Sequence, residues 1–445
     1  MRRGKRILAL LGGFLLAFLL TGCVQSAEEL YALPRQSDAY YDLQAAIDTV
    51  LTGGADYSGP MTGSNQQAVQ LADLDGDGDD EALVFIKTSG ERPLKVYIFD
   101  REGGSDSYEN VAVIEGDGSA FDSVDYVQLD GQPGLELLVG RQLSNQVLQS
   151  LSVYSYTGER MVELMSANYS EYALVDLDGD NCRDVFLLRL ETEERTGVAE
   201  LYRWREGQMT RDQEANLSVG ALAVKRIITG QMCEGVPAVF VASSYGEDSL
   251  ITDIFAFRDQ TFQNVSNHGE TGLSVQTVRN YNVYATDIDE DGLIELPMLV
   301  ALPSATAEET YWTIDWYNLK LDGSKDMKLT TYHNYLGGWY LILPDRFHGQ
   351  ISMGRSEEVS GVRGYSVQRW NGREQAPDDI FTVYAFTGED RGELAVADGR
   401  FLLAEKGDTA YAASLGDCDW ARTLTQEDLI AMFHFIHLDW NSGER

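Results

Sequence analysis

Nine residues, Asp73-Leu74-Asp75-Gly76-Asp77-Gly78-Asp79-Asp80-Glu81, place acids at positions 1, 3, 5 and 9 of one short loop. Four carboxylates can converge on one point if the backbone winds tightly, and glycines at positions 4 and 6 permit the positive φ that winding needs. Oxygen at that density is what a hard cation such as Ca²⁺ requires. The pattern returns as Asp176-Leu177-Asp178-Gly179-Asp180-Asn181-Cys182-Arg183-Asp184 and as Asp287-Ile288-Asp289-Glu290-Asp291-Gly292-Leu293-Ile294-Glu295. An EF-hand opens in the same way, but it needs a bidentate Glu at position 12 and flanking helices. Position 12 holds Val84, Leu187 and Met298, each inside an apolar run, so EF-hands are excluded.

The elements that must hold these loops repeat with them. Each loop runs straight into an apolar strand, such as Ala82-Leu83-Val84-Phe85-Ile86. Two further stretches share the outline with their acids lost: Leu129-Asp130-Gly131-Gln132 and Ile228-Thr229-Gly230-Gln231. Position 3 then falls at 75, 130, 178, 229 and 289. An aromatic strand followed by a turn recurs six times, beginning at Val96, Val153, Leu201, Ile254, Ile314 and Thr382. Units of ~40–50 residues with about four strands each are the signature of propeller blades, which bury their faces only against their neighbours. The sequence predicts an all-β propeller of six four-stranded blades over residues 67–420. A seventh follows if the segment 337–370 supplies an irregular one, and an open stack of hairpins is the alternative. One helix is expected at about 38–52, within the segment 37–66, from the spacing of Tyr40, Leu43, Ile47, Val50 and Leu51. Another is expected in 421–445, with Thr425 as N-cap and Leu429, Phe433, Ile436 and Trp440 along one face.

The acidic loops resemble the D-x-D-G-D-G-x-x-[DE] calcium loop of FG-GAP and VCBS-type repeats. The resemblance implies side-chain ligands at Asp73, Asp75, Asp77 and Glu81, with the Asp79 carbonyl. A second set would be Asp176, Asp178, Asp180 and Asp184 with the carbonyl of Cys182. A third would be Asp287, Asp289, Asp291 and Glu295 with the carbonyl of Leu293. Asn181 can still reach the left-handed region that position 6 needs. Glu290 replaces glycine at position 4, which ranks the third loop weakest.

At the start of the chain, Arg2, Arg3, Lys5 and Arg6 precede the apolar run Ile7 to Leu20. That run is short for a spanning helix, which needs ~20 residues, and reads as the core of a secretory signal. It ends in Leu20-Thr21-Gly22-Cys23, which resembles the lipobox of bacterial lipoproteins. The resemblance implies a signal peptide over 1–22, an acylated Cys23 as the membrane attachment, and a tether over 23–36. The protein would then sit at the cell membrane, lipid-anchored on the extracytoplasmic side. The whole chain has a formal net charge of −37. Loss of 1–22 removes four of its 34 basic residues and none of its 71 acids, leaving 30 against 71, or −41. Such a surface repels nucleic acid, which excludes it as a partner.

No enzyme constellation stands out. G-x-S-x-G and H-E-x-x-H are absent, and no pair among so many acids singles itself out as a glycosidase dyad. His434 and His437 lie three apart on the expected C-terminal helix but lack a third metal ligand. Cys182, Cys233 and Cys418 leave room for one disulfide that the sequence cannot choose, or for plain thiols. Tyr311, Trp312, Trp316, Tyr317, Tyr332, Tyr335, Trp339 and Tyr340 form either a stacking platform for sugar or peptide, or core. The expectation is a calcium-binding propeller acting as a binding or scaffold module for a protein or glycan partner. A carbohydrate-active enzyme of lyase or hydrolase type is the alternative, and a sensory partner of an envelope complex is a third.

Overall fold

The computed structural model describes residues 38–437 apart from 53, 102–106, 144–148, 158–159, 191, 193–196, 305–309, 357–361 and 363. The signal segment, Cys23, the tether and Trp440 lie outside the described residues. Six antiparallel sheets follow one another along the chain, each of four or five strands. Blades 1 to 4 occupy residues 56–116, 120–169, 171–216 and 221–264. Blade 5 takes 296–343 and a late strand, Phe433–Phe435; blade 6 takes 351–415.

The apolar runs after the acidic loops are the strands Glu81–Lys87 of blade 1, Asp184–Arg189 of blade 3 and Leu296–Ala301 of blade 5, with Glu136–Gln142 as the counterpart in blade 2. Side chains alternate between two faces that are both covered, which explains why such runs are apolar. In blade 1, Leu83 and Phe85 pack with Val124, Leu137 and Val139 of blade 2. Their neighbours Ala82, Val84 and Ile86 point the other way, onto Leu43 and Ile47 of helix α1 (Asp38–Leu51). Leu138 of blade 2 packs with Val185 and Leu187 of blade 3. Phe186 and Leu188 then face Val239 and Val241 of blade 4. Ala238 and Phe240 pack with Leu296 and Tyr317 of blade 5. Blade 5 shares Trp339 and Leu341 with Val367, Phe381 and Val383 of blade 6. On the far side of blade 6, Tyr384 and Phe386 are covered by Ala395 of α2 (Arg391–Val396). Among the described residues no apolar cluster joins blade 1 to blade 6; each ends under a helix.

The six aromatic strands are one per blade, and the segment 337–370 makes no seventh: Trp339–Leu343 completes blade 5, while Ile351–Ser356 and Gly364–Arg369 open blade 6. The expected C-terminal helix is shorter than its apolar spacing predicts. α3 spans Gln426–Met432, begins with a Thr425–Asp428 capping box, and stops at Phe433, which is extended. Phe433–Phe435 instead pairs with Trp339–Leu341. Phe433 lies in the core between Trp339 and Tyr411, with Phe435 beside it on the same face. Their period of two puts both rings on one face, Phe433 buried and Phe435 partly so, and a helix would separate them.

Candidate metal centres

Each acidic loop is a tight turn leading into a blade strand: Glu81–Lys87, Asp184–Arg189 and Leu296–Ala301. In the first, both oxygens of Asp73 accept backbone N–H groups, from Gly76 at 2.7 Å and Gly78 at 3.2 Å. Asp75 accepts from Asp77 N, and Asp77 from Asp79 N. The second loop repeats this, with Asp176 accepting from Gly179 and Asn181, and Asp180 from Cys182. In the third, Asp287 accepts from Asp291 and Gly292, and Asp291 from Leu293. Asn181 and Glu290 take the positive φ values, 68° and 60°, that glycine adopts elsewhere in the pattern.

Position 9 ties the loop to its strand. Glu81, Asp184 and Glu295 are buried, and each accepts the N–H of the residue at position 2: Leu74, Leu177 and Ile288. Burial pushes Glu81 up to about 8 and Asp184 and Glu295 up to about 7, each against one backbone hydrogen bond that lowers it. Neighbouring acids add to the rise.

Three carboxylate clusters could hold a metal ion: Asp73, Asp75 and Glu81; Asp176, Asp178 and Asp180; and Asp287, Asp289 and Asp291. Within each, ligand atoms lie within 4.8 Å of one another. Of the anticipated side chains, Asp77, Asp184 and Glu295 stand outside these clusters. Asp79, Cys182 and Leu293 were expected to contribute carbonyls, and they occupy position 7 of the three turns.

The protein's own cations distinguish the loops. In blade 3, the guanidinium of Arg203 contacts Asp178, lies 3.5 Å from Asp184 and bonds Asp212 at 3.0 Å. In the third loop, Lys328 pairs with Asp291 and holds its carboxyl below the usual range, while Asn318 donates to Glu295. In the first loop, among the described residues, Arg101 pairs with Asp79, outside the cluster. There Glu81 Oε1 is buried with no hydrogen-bond partner, next to Asp73 and Asp75. An orphaned, fully buried carboxylate oxygen is costly, and a divalent cation supported by two further carboxylates would satisfy it. The first loop therefore fits a bound cation best.

Sequence reasoning missed how much of the motif blade 2 keeps. Gln128 stands at position 1 and accepts from Asp130 N and Gly131 N; Glu136, buried at position 9, accepts from Leu129 N and is pushed up to about 7 by burial. A Gln followed by Gly at i+3 and Glu at i+8 is the signal that could have found it. The blade-4 stretch, by contrast, is no loop: Ile228 to Gln231 lie inside the strand Ala221–Cys233. A recurring bond between blades locates the true counterpart. The Asp73 carbonyl accepts Leu135 N, the Gln128 carbonyl accepts Arg183 N, and the Gln231 carbonyl accepts Ile294 N. Each joins position 1 of one blade to position 8 of another blade's loop. Gln231 is thus the blade-4 equivalent, and its side chain caps the turn through Gly235 N. Gly76 and Gly134 meet where the first two loops touch; a Cβ on Gly76 would lie 2.5 Å from Gly134 N.

The remaining candidates resolve differently. Trp316, Tyr317, Trp339 and Tyr340 are core. Tyr311, Trp312, Tyr332 and Tyr335 share a small pocket on blade 5. Cys182, Cys233 and Cys418 are free thiols. His434 lies in the last strand, not on a helix; its ring stacks on Tyr340 and bonds the Ala431 carbonyl. A larger cavity of about 670 Å³ is lined by acids of blades 2 and 3, among them Asp122, Asp125 and Glu171, facing Lys225 and Arg226. Tyr169 donates to Asp122 at 2.8 Å and Tyr172 to Asp125 at 2.5 Å.

Six consecutive antiparallel blades, each built on its neighbour, make this chain a β-propeller. No family model and no curated protein matches it. Solved structures give distant matches. Saccharomyces cerevisiae Sqt1 is 9% identical with TM-score 0.30, over 65% of this chain and 82% of that one. A Bacillus licheniformis rhamnogalacturonan lyase, PL11, is 11% identical with TM-score 0.29, over 81% and 72%. The exotype rhamnogalacturonan lyase YesX is 11% identical with TM-score 0.28, over 74% and 68%.

Proposed function

We propose that this chain is a lipid-anchored, extracytoplasmic propeller, stabilised by Ca²⁺ in its acidic loops, that serves as a binding or scaffold module for a protein or glycan partner. The observation that carries the cation is the orphaned Glu81 Oε1 beside Asp73 and Asp75. Oxygen-only donors of this kind suit Ca²⁺. The loop pattern resembles FG-GAP and VCBS-type repeats, which supports the same ion. The anchor rests on the basic segment, the short apolar core and Cys23. Bound Ca²⁺ would neutralise the clustered carboxylates and hold strand turns; the chain's own residues do the rest, pinning each turn through position 9.

Linkage gives ~2.7 kcal/mol per site at one hundred times Kd. At the ~10⁻⁴–10⁻³ M affinities of extracellular modules, one site in millimolar calcium contributes about 1 kcal/mol. The test is a melting curve in EDTA and in millimolar Ca²⁺. Asp75→Ala should reduce the calcium shift, and Asp130→Ala should leave it. Identical wild-type curves with no calorimetric binding would refute the reading. The enzyme alternative is favoured by the cavity of Asp122, Asp125 and Lys225. New reducing ends released from a polysaccharide panel, and lost in Asp125→Asn, would establish it.

A further inference from the structure

A pocket of about 160 Å³ opens on blade 5, bounded by the rings of Tyr281, Tyr311, Trp312, Tyr332, His333 and Tyr335. It holds roughly five waters at ~30 Å³ each, well under the ~300 Å³ of a drug-sized site. Strands supply most of its wall: Trp312 begins Trp312–Leu319, and Tyr332 and His333 belong to Lys325–Asn334. Trp312 and Tyr281 form the rim with 44% and 42% of their surface exposed. Tyr335 lies against Tyr281 and His333, with ring centroids 5.5 Å apart in both pairs, and its hydroxyl is buried without a hydrogen-bond partner.

We propose that this pocket binds one neutral sugar residue, the end of a glycan. The claim rests on the scaffold reading above and names its partner class. Aromatic faces carry partial negative charge and meet the apolar C–H face of a pyranose well, while tyrosine hydroxyls offer polar tips at the ring edge. The Tyr335 hydroxyl is closed off from solvent in the free protein. A ring shift on ligand entry would bring it to the ligand and give it the partner that it lacks, which favours a ligand rich in hydroxyls over an apolar one. Among the described residues, no Lys, Arg, Asp or Glu lines the pocket. An anionic sugar would find no counter-charge. A cation would find rings but also strong desolvation: burial alone pushes His333 down to about 3. The volume admits a single ring, so the rest of a glycan must project past Trp312 into solvent.

The test titrates the full-length protein, in millimolar Ca²⁺, with methyl glycosides of glucose, galactose, mannose and N-acetylglucosamine, followed by ligand-observed NMR. Choline and galacturonate serve as the cationic and anionic arms. At least one neutral glycoside should saturate at millimolar concentration, and Trp312→Ala and Tyr281→Ala should each weaken it by tenfold or more. Tyr335→Phe should weaken it about fivefold. No saturation by any neutral glycoside, tighter binding of choline or galacturonate, or unchanged binding in both rim variants overturns the proposal. The calcium-dependent melting shift is read on the same samples. If it persists while no sugar binds, only the sugar site falls; if it is absent while sugar binds, the calcium reading falls.

Discussion

Replacing Glu81 by Gln should act with opposite signs in the presence and absence of calcium. In the metal-free fold the Glu81 carboxyl, pushed up to about 8 by burial, keeps its proton at pH 7, whereas the unfolded chain at the ordinary 4.5 has lost it. Below pH 4.5 both states are protonated and the effect is absent. It grows as pH rises between 4.5 and 8 and is complete above 8, where folding must bury the anion. At pH 7 about 2.5 units separate the solution from the unfolded value, and at ~1.36 kcal/mol per unit the metal-free fold loses about 3 kcal/mol. Glutamine carries no proton to lose, can keep the Leu74 N–H bond through its carbonyl, and can donate to Asp73 or Asp75. Glu81→Gln should therefore melt above wild type in EDTA at pH 7 and match it near pH 4. In millimolar calcium the order should reverse, because the variant has lost a charged ligand while wild type gains binding energy. The assay is a set of melts of both proteins across pH, with EDTA and with Ca²⁺. A variant that melts below wild type in EDTA at pH 7, or that keeps the whole calcium shift, would refute the reasoning.

Other outcomes follow from single contacts. Arg203→Ala strands Asp178, Asp184 and Asp212 together and should cost about 3–5 kcal/mol in EDTA, as for a broken buried ion pair; an unchanged urea midpoint contradicts this. Phe433→Ala removes a core ring shared by blades 5 and 6 and should cost about 3–5 kcal/mol, read from the same denaturation curves; a loss below 1 kcal/mol would mean that the last strand is peripheral. Cys23→Ala should abolish incorporation of labelled fatty acid and release the protein from membranes, and labelling that persists in the variant removes the anchor.

The blade architecture was legible because its determinants are local. Alternation within Ala82–Ile86 and the Asp spacing of each loop act within one turn and one strand. What the sequence hid is set by register between distant strands. Arg203 meets Asp184 because Val185 pairs with Tyr202, so the next residues along, Asp184 and Arg203, adjoin. Nothing in their separation along the chain announces that. Blade 4 misled for a similar reason. Ile228 to Gln231 has the right letters, but the carbonyl that takes the loop's role belongs to Gln231 itself, four residues later than the spacing implied. Helical periodicity at Leu429, Phe433 and Ile436 lost to the edge offered by Trp339–Leu341, which no local pattern reveals.

That last strand has a consequence for the order of assembly. Blades 1 to 4 are contiguous in the chain and can form from successive hairpins as they emerge. Trp339–Leu343 must wait for its outer partner until Phe433 has been made, roughly ninety residues later, or about 5–20 s at ordinary synthesis rates. During that interval an aromatic edge with open backbone groups is exposed, the kind of edge that recruits other strands. A chain truncated before Phe433 keeps every acidic loop yet leaves that edge bare for good. Nonsense mutations upstream of Phe433 should then yield chains that aggregate, and chaperones that hold the nascent chain have one particular strand to guard.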